Sequence, residues 1–374
     1  MASRALFIAA GGTGGGIYPA LSVVEALRQL QPSARLHFVG SATGIENELV
    51  PREGWAGFHR VQSGALHGVG RLRQLSSGLR ILIGTWQAWR LAARYRPRAL
   101  FLTGGWATFP TALACWLRGV PIVVYMPDIE PALGIRVISR FARLILAPVP
   151  ESKEYFWRGS RVEAVGYPLR RALLRADRQT AQAHFKLDSG RLTLLVFGGS
   201  LGARSLNNAL AAILPDILEM GVQVLHISGK ADWETVQAQR AALDSALRGR
   251  YHAFAYLHDE MGLALAAADL AVCRAGASVL GELTHFGLPA VLVPYPHAWR
   301  YQKVNADWLV ARGAAIRLDD EHLSNALLPT LRTLLSDTAR LDTMRESARR
   351  AAVPNAAQCI AERLLEVAKL VEDH

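Results

Sequence analysis

Two stretches half a chain apart are built alike. LFIAAGGTGGG at Leu6–Gly16 and LLVFGGSLGAR at Leu194–Arg204 each pass from a short apolar run into a glycine-rich turn and then a helical pattern, and Gly11 stands 187 residues before Gly198 in a chain of 374. An apolar run without polar alternation reads as a strand covered on both faces, the condition of a parallel sheet flanked by helices. Two such units so far apart point to two α/β domains rather than one. A second correspondence agrees: TGGWATFPTALACWLRGVPIVV at Thr103–Val124 and RAGASVLGELTHFGLPAVLV at Arg274–Val293 both read loop, helix, Gly-x-Pro, strand.

Runs of valine, leucine and isoleucine mark ten candidate strands. They are Arg4–Ala9, Arg35–Val39, Ala99–Thr103, Ile122–Tyr125 and Leu144–Ala147 in the first half, then Leu192–Phe197, Val222–Ile227, His252–Ala255, Leu270–Cys273 and Ala290–Val293. The expected organisation is an N-terminal domain over residues 1–166, a C-terminal domain over 167–340 beginning at the Gly166–Pro168 turn, and a helical segment over 341–374 packing back toward the N-terminal domain.

Composition excludes several classes. A chain 51% hydrophobic and 20% charged is globular rather than disordered. Cys115, Cys273 and Cys359 are odd in number, distant and in no C-x-x-C pair, which argues against a disulfide framework or a cysteine zinc site and fits a reducing compartment. No Asp-x-Asp follows a strand and no H-E-x-x-H occurs, so neither a metal nor another cofactor is expected. The apolar run Ala5–Ala10 is too short for a secretory signal. The uncharged run Ala99–Leu117, near bilayer-spanning length, is broken by Gly104, Gly105 and Pro110 into strand, loop and helix.

The formal charge of +11 is unevenly placed. Between Glu53 and Asp128 there is no acidic residue, whereas arginines stand at 60, 71, 73, 80, 90, 94, 96, 98 and 118. Within that stretch Leu75, Leu79, Leu82, Trp86 and Trp89 recur at three- and four-residue steps along one helical face, flanked by Arg71, Arg73, Arg80, Arg90 and Arg94. Two readings compete. One is an amphipathic core helix with a solvated basic face. The other is a helix laid on an anionic membrane surface, where indoles sit at headgroup depth and each basic residue adds about 1 kcal/mol. Nucleic acid is not expected as a partner, because no helix-turn-helix, finger or aromatic RNA-binding signature accompanies the charge.

The turn from Gly11 to Gly16 presents no bulky side chain ahead of a helix N-terminus, so an anion or a sugar can approach its backbone. It departs from the dinucleotide fingerprint, no acidic residue closes the second strand near Val39, and no Lys-Ser/Thr pair follows as in a P-loop. The second turn adds the Ser200 hydroxyl and the Arg204 guanidinium and suits phosphate better. A third loop, Cys273–Ser278, opens a helix carrying Glu282, placed either to accept both hydroxyls of a ribose or to complement the helix dipole.

GGTGGGIYPALSVVEAL, the loop Gly104–Trp106, VGYPLR at Val165–Arg170, GGSLGARSLN and CRAGASVLGELTHFGLPAVLVPYPHAWRYQKVNA together resemble the MurG family. These are UDP-N-acetylglucosamine:undecaprenyl-diphospho-N-acetylmuramoyl-pentapeptide N-acetylglucosaminyltransferases of the GT-B type. The likeness runs in order over nearly the whole chain and is most specific from Cys273 to Ala306. It implies two Rossmann-like domains whose parallel sheets face a cleft, the first meeting acceptor and membrane, the second binding the UDP-sugar. Residue by residue, it implies Thr13, Gly14 and Gly15 toward the transferred sugar and acceptor diphosphate, Ser200 on the donor phosphates and Arg170 in the donor cleft. Glu282 would hold the uridine ribose, and Ala277, Ser278, Val279, Leu280 and Gly281 would offer backbone to the nucleotide. Gln302 and Asn305 would approach the sugar hydroxyls, and His258 stands where backbone meets uracil.

Three places depart from the family. Its GGTGGH turn ends here in Gly16, its H-E-Q-N motif is Tyr125-Met126-Pro127-Asp128, and the position before Gln302 is Tyr301. The implied reaction is an inverting attack of the N-acetylmuramoyl C4 hydroxyl on the anomeric carbon of the donor, with UDP leaving. Asp128 and Glu130 are the nearest candidates for the base by motif position, each equally a loop-capping residue. A polyprenyl-diphosphate acceptor stays in the bilayer, which implies peripheral attachment to the cytoplasmic face of the cell membrane through Arg71–Arg98. Donor-side agreement beside acceptor-side divergence is also compatible with a UDP-sugar transferase for another lipid or small acceptor, or with a non-catalytic sugar-nucleotide-binding paralogue.

Overall fold

The computed structural model describes residues 5–11, 14–42, 46–50, 55–64, 71–199, 203–298 and 300–370, without the side chains of 48, 49 and 71–75. Two compact units emerge: Met1–Arg170 with Asn355–His374, and Arg171–Pro354.

In the first unit β1 (Ala5–Ala9), β2 (Arg35–Ser41), β3 (Gly57–Val61), β4 (Ala99–Leu102), β5 (Ile122–Tyr125), β6 (Leu144–Ala147) and β7 (Val162–Ala164) form one sheet in the order β3-β2-β1-β4-β5-β6-β7. Every pairing is parallel. Its principal helices are α1 (Gly14–Leu30), α2 (Arg71–Tyr95) and α3 (Phe109–Leu117). Successive side chains of a strand point to opposite faces. Leu6 and Ile8 therefore pack with Ile17, Val24 and Leu27 of α1, while Phe7 and Ala9 pack in a second core with Ala88 and Ala92 of α2.

The second unit repeats the plan with β8 (Thr193–Phe197), β9 (Gln223–Ile227), β10 (Tyr251–Phe254), β11 (Leu270–Cys273), β12 (Ala290–Leu292) and β13 (Ala315–Arg317), ordered β10-β9-β8-β11-β12-β13 and all parallel. Its principal helices are α4 (Arg204–Glu219), α5 (Val279–Phe286), α6 (Tyr301–Ala311), α7 (Leu323–Leu335) and α8 (Thr338–Arg350). The last helix, α9 (Ala356–Ala368), returns to the first unit and buries Ile360, Leu364 and Leu365 in the core beneath α1.

Three elements differ from the sequence expectation. The strands β3, β7 and β13 carry no continuous apolar run, because each lies at a sheet edge and is only partly covered. The expected 341–374 segment is divided: α8 stays in the second unit, where Leu341 and Met344 join the core, and only the chain from Asn355 belongs with the first. The first break falls at Arg170 rather than Gly166. The Gly166 carbonyl accepts the Tyr125 hydroxyl at 3.1 Å and the Arg170 guanidinium lies over Tyr18 at 4.7 Å, so the turn is held by the first unit.

The strand order reverses between β1 and β4 in one sheet and between β8 and β11 in the other. At such a reversal the loops leaving the carboxyl ends of two neighbouring strands diverge to opposite faces and open a crevice, the general ligand position in open α/β sheets. All three glycine-bearing loops singled out from the sequence leave these strands.

Candidate active site

In the second unit β8 runs into Gly198 and Gly199, the latter at φ +87°, a left-handed conformation that favours glycine. Ser200 lies outside the described residues. Beside this turn β11 runs into Arg274–Ser278 and α5. The Ser278 hydroxyl donates to Glu282 Oε2 at 2.9 Å, which fixes the half-buried carboxylate in the first turn of α5. The amides of Val279, Leu280 and Gly281 are engaged by the carbonyls of Gly276, Ala277 and Ser278. The part of this loop whose amides are not engaged in this way lies before Val279.

The remaining second-unit residues hold loops. Asn305 is fully buried and its Nδ2 donates to the Ala275 carbonyl at 3.2 Å, so it braces the loop after β11 from below. Gln302 accepts the Tyr295 amide at 2.8 Å, and Tyr301 opens α6 beside it. His258 is exposed after β10, its amide donating to Glu260 at 3.1 Å and its ring edge-on to Tyr256 at 4.6 Å. Arg274, which the sequence did not single out, is a hub. Its guanidinium pairs with Asp320, donates to the Ser205 hydroxyl of α4 at 2.7 Å and to the Val293 carbonyl at 3.2 Å, and so ties three of the loops at this edge.

A buried polar chain lies beneath the same edge. Asn207 Nδ2 donates to the Ser228 carbonyl and to Asp232, which leaves its Oδ1 to accept from His226 Nε2 at 2.9 Å. That assigns the proton to Nε2 and makes Nδ1 the acceptor of the Tyr251 hydroxyl at 2.7 Å. Burial pushes the His226 imidazole down to about 4 despite the nearby Asp232.

In the first unit Gly14 and Gly15 open α1, and a methyl built on Gly14 would meet the Tyr18 ring at 3.2 Å. Arg170 lies over that same ring, so a cation stands at the start of α1. Thr13 is outside the described residues. Thr103, at the end of β4, donates to the Gly16 carbonyl at 2.5 Å, and a Cβ at Gly16 would stand 3.2 Å from the Thr103 carbonyl. Glycine at this position thus allows the close approach. Tyr125 is fully buried, its hydroxyl donating to Gly166, and burial with Tyr167 and Asp128 nearby holds its phenol well above the ordinary range. It braces a turn. Glu130 is also buried, and its Oε1 is 2.9 Å from Arg136 Nη2. Asp128 is half-buried and is the more open of the two carboxylates.

On α2 the predicted stripe is not core. Leu79, Leu82, Trp86 and Trp89 are 61%, 67%, 58% and 43% exposed, because the helix packs through Ile81, Gly84, Ala88 and Ala92 instead. Gly84 permits this, since a Cβ there would collide with the Gln62 carbonyl. Arg80 and Arg90 are exposed, and Arg90 lies over Trp86 at 4.9 Å. From α3 the exposed Trp116 and Leu117 are followed by Arg118, which sits over Trp89 at 4.8 Å and extends the patch. Their place at the end of the uncharged Ala99–Leu117 run was the signal for them. The side chains of Arg71, Arg73 and Leu75 are outside the described residues. No helix of the described residues is long and apolar enough to cross a membrane.

Comparison with known proteins decides the family. Residues 6–146 match the glycosyltransferase family 28 N-terminal domain and residues 193–360 its C-terminal domain. A UDP-N-acetylglucosamine–N-acetylmuramyl-(pentapeptide) pyrophosphoryl-undecaprenol N-acetylglucosamine transferase of Roseiflexus sp. (strain RS-1) is 38% identical over 95% of this chain and 93% of its own. One of the same name from Nitratidesulfovibrio vulgaris (Hildenborough) is 37% identical over 98% of both. The chain belongs to the MurG family of glycosyltransferases. The crystal structure of Acinetobacter baumannii MurG superposes with a TM-score of 0.77 at 27% identity, covering 97% of this chain and 99% of that one, and the architecture is GT-B.

The buried imidazole gives a stability test. A folded-state value of about 4 against about 6.5 unfolded means that the unfolded chain binds the extra proton, so this contribution is complete above pH 6.5 and is lost as pH falls toward 4. Urea unfolding at pH 7 and pH 4.5 should show a loss roughly 2–3 kcal/mol larger in the native chain than in His226→Gln. Equal losses would place the imidazole in contact with solvent.

Proposed function

We propose that this chain transfers N-acetylglucosamine from UDP-N-acetylglucosamine to undecaprenyl-diphospho-N-acetylmuramoyl-pentapeptide. The observation that carries the reading is the Ser278–Glu282 pair opening α5 beside a glycine turn at the β8/β11 reversal, in a chain that MurG enzymes match along its length. A carboxylate accepts two ribose hydroxyls well, and a glycine turn at a helix N-terminus takes phosphate.

The acceptor C4 hydroxyl attacks the anomeric carbon, the bond to the diphosphate oxygen breaks with its electron pair, and UDP leaves with inversion. Its negative charge is met by the α4 N-terminus and the loop before α5, dipoles fixed before the reaction starts. Asp128 is the carboxylate best placed to take the hydroxyl proton, because it is half-buried whereas Glu130 is buried. Arg170 supplies positive charge at the first glycine turn, where an acceptor diphosphate would lie. The patch of Leu79, Leu82, Trp86, Trp89 and Trp116 with Arg80, Arg90 and Arg118 brings the enzyme to the cytoplasmic leaflet that holds the acceptor.

With radiolabelled donor and lipid acceptor in detergent, the native chain should form the disaccharide lipid. Glu282→Ala should raise the donor KM at least tenfold with a smaller change in kcat, and Asp128→Asn should lower kcat by about 10²-fold or more. Donor cleavage without lipid product would point to another acceptor, and no turnover of any kind would refute the assignment. In flotation, vesicles containing an anionic phospholipid should carry the native chain at low salt and release it at high salt. Trp86→Ser with Trp89→Ser should remain behind, and equal flotation of both would remove the patch from membrane binding.

A further inference from the structure

The six loops at the carboxyl edge of the second sheet must supply the positive charge that a nucleoside diphosphate needs, and the structure narrows the choice. Arg204, at the start of α4, is paired with Asp232 at 3.0 Å. Arg274 is largely buried and paired with Asp320. Lys230 differs: it is exposed, it has no carboxylate partner among the described residues, and its ammonium lies 5.9 Å from the centre of the Tyr256 ring.

Strand order fixes where that ammonium stands. Lys230 follows β9, which lies between β8, whose turn would take the phosphates, and β10, whose loop carries Tyr256 and His258. The backbone that presents it is held tightly. Gly229 adopts φ +83°, the Ser228 amide donates to the Phe254 carbonyl at 3.0 Å, and the Ser228 carbonyl accepts from Asn207. The Tyr251–His226–Asn207–Asp232–Arg204 chain thus links this loop to the first residue of α4. Such a network keeps a lysine on a short loop in one register, with its ammonium beside the Tyr256 ring between the loops after β9 and β10.

We propose that Lys230 is a donor-binding residue that contacts the diphosphate of the nucleotide, held in place by the buried His226–Asn207 network. This rests on the UDP-sugar reading above. A charge-assisted contact of this kind changes affinity by about tenfold or more.

Calorimetry on the full chain with UDP and with uridine tests it. Lys230→Met should weaken UDP about tenfold and leave uridine unchanged, while Lys230→Arg should restore most of the UDP affinity. Near-UV dichroism identical to the native chain would show that the Met variant is folded. Unchanged UDP affinity in the Met variant would overturn the proposal, as would an equal loss for UDP and uridine, which would put Lys230 on the base. If the native chain itself bound no UDP, the donor reading would fail first and this inference with it.

Discussion

Everything at the two strand ends depends on one constraint: a parallel strand buried on both faces must discharge into a loop at its carboxyl end, and the helix that follows begins with amides that have no partner within the helix. Both sheets arrange these ends around a reversal of strand order. Glycine at the turn lets a ligand reach the amides, and the helix dipole favours an anion there. The fold therefore offers a position suited to an anion before any specific side chain is chosen.

The side chains then separate the two units by chemistry. In the second, the loops carry groups that can face a nucleotide, with Glu282 fixed by Ser278 and a buried polar chain beneath. In the first, several residues at the expected acceptor positions are braces: Tyr125 holds Gly166, Glu130 holds Arg136, and Thr103 closes on Gly16. A Cβ at Gly16 would stand 3.2 Å from the Thr103 carbonyl, so glycine allows this close approach. Asp128 follows β5 on the same loop as Glu130 and is exposed in part.

Much of this was legible in the sequence, for physical reasons. Central strands such as Leu194–Phe197 and Leu270–Cys273 are covered on both faces and read as unbroken apolar runs, whereas β3, β7 and β13 are half-covered edges with mixed composition and gave no such signal. The stripe on α2 was visible by its spacing, but spacing alone does not say which face meets the core. The small residues Gly84, Ala88 and Ala92 allow close approach to the sheet and leave the indoles outside. Arg274 and His226 were invisible because their role comes from partners far along the chain, Asp320 and Ser205 in one case, Asn207 and Tyr251 in the other.

The central claim is that the carboxyl edge of the second sheet, around the β8/β11 reversal, binds the uridine diphosphate moiety. Amide hydrogen exchange of the full chain with and without UDP localises that binding. The account predicts slowed exchange in residues 256–260 and 274–282 with little change along β3 and β7, the far edges of the first sheet. Slowing confined to the first sheet, or none in 274–282 at saturating UDP, would contradict it.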